Sequence, residues 1–86
     1  SLYSYNFEMG FSHAVPEDKL AQIIADALAE EKGFLSPPTF ALDRTTADSR
    51  FYRVFFQVSD PQVIFAKRGA IHQKILGKWD AARLGS

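Results

Sequence analysis

Asp60-Pro61-Gln62-Val63-Ile64-Phe65-Ala66-Lys67-Arg68-Gly69 admits two readings, and the choice between them sets the number of strands. As a helix start, Asp60 is a good N-cap and Pro61 loses nothing at the first helical position. As a strand, Val63-Ile64-Phe65 is β-prone, Gly69 offers a break, and residues 62–67 would follow a turn at Ser59–Gln62. Beyond it, Ile64, Ile71, Ile75, Trp79 and Ala82 line one side of a helix. We therefore expect one long helix over about 61–84, with strand 62–67 and a helix from about 69 as the alternative.

Upstream, residues 50–58 alternate with period two. Tyr52, Val54, Phe56 and Val58 share one face, and Phe51, Arg53, Phe55 and Gln57 the other. Ala47-Asp48-Ser49 reads as a turn, and Phe40 and Leu42 mark a strand near 39–46, so the two strands form a hairpin. Pro37-Pro38 is a stiff connector. Leu20, Ile23, Ile24, Ala27 and Leu28 are spaced for a helix over about 16–32, opened by Pro16, Glu17 and Asp18 and closed at Gly33. Residues 2–12 alternate most clearly: Tyr3, Tyr5, Phe7, Met9 and Phe11 on one side, Leu2, Ser4, Asn6, Glu8, Gly10 and Ser12 on the other. The order is β-α-β-β-α. The expected fold is α+β, a two-layer sandwich with an antiparallel-rich sheet and both helices on one face.

A chain of 86 residues is expected to form one small domain, and its Ser1 start reads as a piece excised from a larger protein. Eight Phe and a 14% aromatic content supply large apolar areas for so small a core. Cysteine is absent, which excludes disulfides and thiolate metal sites and fits a reducing, cytoplasmic setting. No apolar run is long enough to span a bilayer and no leader peptide is visible.

A formal net charge of zero hides a polarised chain. Residues 1–48 hold three basic residues (Lys19, Lys32, Arg44) against eight acidic ones; residues 49–86 hold seven basic residues against two acidic ones, Asp60 and Asp80. On the last helix Lys67, Lys74 and Lys78 fall in one sector, and Arg68 and Arg83 flank the apolar side. Such a stripe can track phosphates, or it can complement the acidic first helix, which carries Glu17, Asp18, Asp26, Glu30 and Glu31.

If both helices cover one sheet face, the other is bare and presents Phe51, Arg53 and Phe55. Exposed aromatics beside a cation suit a contact with another subunit or domain, or stacking on bases. His13 and His72 stand apart with no ligand spacing, and Ser12-His13 is adjacent in sequence rather than arranged as a triad. Asp43, Asp48 and Asp80 have simpler places in turns and on surfaces. The glycines form no phosphate loop. No catalytic residue, metal site, cofactor or small-molecule ligand is expected.

With residues 62–67 as a strand, the order from the first helix onward becomes α-β-β-β-α, and Ala66-Lys67-Arg68 precedes the last helix. In that form the chain resembles the double-stranded-RNA-binding domain. The resemblance implies phosphate contacts from the basic helix. The Gly-Pro-x-His loop that this family carries between its first two strands is absent near Thr45–Arg50. The sequence thus points first to a non-enzymatic protein-interaction or oligomerisation module working through Phe51, Arg53 and Phe55. Its alternative is a nucleic-acid-binding domain using Lys67, Arg68, Lys74 and Lys78.

Overall fold

A computed structural model describes residues 2–85. Strand β1 (Tyr3–Ser12) leads to helix α1 (Glu17–Ala29), then to β2 (Thr39–Thr45) and β3 (Ser49–Val58). A single 3-10 turn, Pro61–Val63, precedes helix α2 (Ile64–Leu84). The fold is α+β, with one antiparallel sheet in the order β1-β3-β2. Since β1 and β2 both run against β3, they are parallel to each other, and α1 is the crossover between them.

The deciding stretch is helical. Asp60 Oδ1 accepts the Gln62 N–H at 2.9 Å, Pro61 opens the turn, and α2 follows without a break at Gly69. The side-chain cap and the proline outweigh the β-propensity of Val63-Ile64-Phe65. Residues 62–67 are therefore not a strand, and the α-β-β-β-α order behind the resemblance to the RNA-binding domain is not present among the described residues.

Helix α1 ends at Ala29 rather than near Lys32. The N–H groups of Glu30 and Glu31 turn back to the carbonyls of Ala27 and Leu28 at 3.3 and 3.2 Å, tightening the last turn. The chain must leave the helix early for Phe34 to reach the core, where its ring meets Phe56 edge-on at 5.5 Å. Gly33 makes that bend at φ +85, a left-handed conformation that glycine adopts without strain.

The core joins alternate strand residues to both helices. Phe7, Met9, Phe11, Tyr52, Val54, Phe56 and Val58 pack with Leu20, Ile24, Ala27 and Leu28 of α1 and with Ile71 and Ile75 of α2. Tyr52 keeps its hydroxyl satisfied by donating to Glu17 Oε1 at 3.2 Å. Two apolar strand residues stand largely outside this core: Tyr3 at the start of β1, on the same side as Phe7, Met9 and Phe11, and Leu42 on β2 are both exposed.

Between Leu42 and Arg44 the β2–β3 register slips by one residue. Such a bulge bends its strand and re-aims a side chain. Leu42 faces Tyr52, yet Arg44 is already opposite Phe51. The extra residue, Asp43, puts two consecutive charged side chains on the face of Phe51 and Arg53. The hairpin closes through Thr46, whose N–H donates to Ser49 O at 2.8 Å and whose hydroxyl oxygen accepts from Asp48 N and Ser49 N.

Candidate functional site

Strand alternation and register place Phe51, Arg53 and Phe55 along the middle of the sheet, opposite the core-facing residues of β3. Arg53 is the centre of a polar cluster. Its Nη1 donates to Asn6 Oδ1 at 2.9 Å, and its Nη2 donates to Glu8 Oε2 at 3.2 Å and Asp43 Oδ2 at 3.5 Å. Glu8 lies directly across from Arg53 in the β1–β3 register and also accepts from Arg44 Nη1 at 2.8 Å. Two carboxylates and two guanidiniums thus share one small area. A single exposed ion pair is worth about 0–1 kcal/mol, and a network restrains its members more than a pair does.

The two phenylalanines have different surroundings. The Phe51 ring lies over Gly10, its cross-strand partner; a Cβ at position 10 would sit 2.8 Å from Phe51 Cε1. Arg44 also lies over that ring, its guanidinium carbon 4.0 Å from the centroid. Phe51 is consequently half-buried. Phe55 is 40% exposed and borders a shallow hollow of about 300 Å³ lined also by Asn6, Pro37 and Thr39.

The basic residues of α2 are not gathered on one open surface. Lys74 pairs with Glu31 at 3.1 Å and Glu30 at 3.8 Å, and Lys78 pairs with Glu30 at 2.7 Å. The hydrogen bond between them is the chief reason that Glu30 is held below the ordinary carboxylate value and Lys78 above the ordinary lysine value. Lys67 donates to the Lys32 carbonyl at 3.0 Å and lies 5.1 Å from the Phe34 ring centroid. Arg68 points another way, donating to the Tyr5 hydroxyl at 3.1 Å. Part of the charge polarity read along the chain is therefore met inside the molecule: Lys74 and Lys78 of α2 against Glu30 and Glu31, and Arg53 of β3 against Glu8 and Asp43.

His13 donates through Nε2 to the Thr46 carbonyl, 2.9 Å away, tying the β1–α1 connection to the hairpin turn. His72 stacks on Phe7 at 6.2 Å. Among the described residues no three metal-ligating side chains come together, and no helix is long and apolar enough to cross a membrane.

The sequence reading overlooked Asn6, Glu8 and Asp43 as partners of Arg53, and Arg44 as the second cation on Glu8. Glu8 was legible as an outward residue of the first strand; its position opposite Arg53 depends on sheet order. Also overlooked was Phe65, 72% exposed on α2. Its offset from Ile64, Ile71 and Ile75 on the helix was the available signal. No family model matches the chain, and no curated protein matches it in sequence.

Proposed function

We propose that the chain is a non-enzymatic protein-interaction module that pairs with a second copy of itself through the sheet face bearing Phe51, Arg53 and Phe55. The observation that carries this reading is Phe55, a large apolar side chain 40% exposed beside a charge cluster whose members are already paired. Covering such a cluster leaves no orphan charge, which is the usual obstacle to burying a polar face. The face is also charge-balanced: Glu8 and Asp43 offset Arg44 and Arg53, so two copies can bring it together without a net charge on either side.

Three strands about 4.8 Å apart and about 33 Å long give roughly 450 Å² per partner, below the usual 800 Å² of a stable complex. The association is accordingly weak and reversible. Sedimentation of the protein over a wide concentration range is the test. Self-association that Phe55→Ser abolishes, with an unchanged circular dichroism spectrum, supports the reading; a monomer at every concentration refutes it.

A further inference from the structure

Helix α2 follows β1 along its length. Phe65 meets Tyr5 edge-on at 6.4 Å, His72 stacks on Phe7, and Trp79 tilts against Phe11 at 5.9 Å. From Tyr5 to Phe11 the strand advances about 20 Å, and from Phe65 to Trp79 the helix advances about 21 Å, so the two run side by side. Yet β1 is an edge: among the described residues its only neighbour is β3, and the outer row of its N–H and C=O groups has no strand beside it.

Natural edges are normally blunted by proline, lysine or a bulge. The other edge strand, β2, carries a bulge and follows Pro37-Pro38. Strand β1 has none of these over its ten residues. The flank of α2 above this edge is apolar and uncovered: Phe65 is 72% exposed and Leu76, on the same helix side, is 38% exposed, with Tyr3 of β1 43% exposed nearby in the sheet.

Widths explain the surplus. Two helices packed side by side span about 20 Å, whereas three strands span about 14 Å and four about 19 Å. The sheet is one strand too narrow, and the missing place lies beside β1 under α2. A second copy cannot fill it by pairing β1 with β1, because the two α2 helices would then lie about one strand spacing apart, well inside the 8–10 Å that packed helices need. One extended segment fits. Charge says more about it. Arg68 borders the place, bonded to the Tyr5 hydroxyl and 5.9 Å from the Phe65 ring, with no carboxylate in ion-pair range among the described residues.

We propose that the outer edge of β1 and the adjoining flank of α2 accept one extended strand of a partner protein, with apolar side chains at alternate positions facing α2 and a carboxylate meeting Arg68. Backbone pairing along the edge supplies affinity, and the Phe65–Leu76 flank selects the side chains. This surface is separate from the Phe55 face.

The probes are two capped peptides as long as β1, both alternating valine and threonine, with one valine of the α2-facing row replaced by glutamate in the first and by lysine in the second, because only that row can reach Arg68. Each is titrated into isotope-labelled protein, with amide exchange followed residue by residue. The glutamate peptide is expected to slow exchange at alternate β1 amides and to bind at least about tenfold more tightly than the lysine peptide, the factor that 1.4 kcal/mol of charge complementarity provides. Arg68→Glu should reverse that preference, and Phe65→Asp should weaken both peptides while leaving self-association through Phe55 unchanged. Absence of any change at β1 with either peptide, equal binding of the two, or β1 protection in concentrated protein alone would each overturn the proposal. Phe55→Ser, which tests the other face, should leave peptide binding as it was.

Discussion

Gly33→Ala probes the bend that ends α1 and, with it, what Lys67 is for. Position 33 has φ +85, and a Cβ there would lie 2.7 Å from the Lys67 ammonium nitrogen. The backbone conformation alone costs an alanine about 1–2 kcal/mol. The methyl group also pushes Lys67 off the Lys32 carbonyl and away from Phe34, which forfeits about 0.5–1 kcal/mol of hydrogen bond and cation–π attraction at this exposed site. The expected loss is about 1.5–3 kcal/mol, against a total of about 4–13 kcal/mol for a domain of this size. Lys67→Ala should cost only about 0.5–1 kcal/mol, since the backbone stays relaxed. The double variant should be no worse than Gly33→Ala, because the displaced group is already gone. Urea unfolding of the four proteins at pH 7 measures all of this. Strictly additive losses, or a Gly33→Ala protein within 0.5 kcal/mol of the parent, would refute the account of the bend and of Lys67 as its latch.

Ile71→Ala and Ile75→Ala each empty a fully buried place between α2 and the sheet and should cost about 2–5 kcal/mol in urea unfolding. Glu30 is held below its ordinary value of 4.5 chiefly by the Lys78 hydrogen bond, so its pairing favours the folded form above pH 4.5 and that share fades as pH falls through the lowered value; Glu30→Gln should flatten the acid limb of a stability–pH profile. Burial, then the charge of Glu17, raises the Tyr52 phenol above 10.0, so the folded form is favoured fully below pH 10 and the advantage disappears as pH climbs through the raised value. Tyr52→Phe should remove that alkaline dependence and cost about 1 kcal/mol at neutral pH through the lost bond to Glu17, both readable from unfolding curves.

The α+β class and the element order were legible because β1, β3 and α1 each keep one clear period, and because Asp60-Pro61 is a specific helix opening. What escaped the sequence was set by long-range geometry. Nothing in Asp43-Arg44 announces a bulge, since the slip is needed only to match β2 to β3. The early end of α1 follows from where Phe34 must land, not from helix propensity. For the candidate sites, Phe51, Arg53 and Phe55 could be assigned to one side of a strand by alternation, but Arg53's partners lie on two other strands. The lysines of α2 could be read as a phosphate stripe or as counterparts of α1, and only packing decides which groups they touch. The vacant strand place beside β1 is invisible in the sequence, because it depends on which strand lies at the margin of the sheet.

Every rung of the sheet involves Ser49–Val58: Tyr3 pairs with Val58, Ser12 with Ser49, and Thr39 with Phe55. During synthesis, then, the ribosome releases β1 and β2 before the strand that both must join. Until that central strand emerges, the nascent chain can wind α1 but can form neither ladder, and a ten-residue aromatic strand stays unpaired in the crowded space near the exit tunnel. Assembly is thereby postponed to a single late event, in which the arrival of one segment zips both neighbours at once.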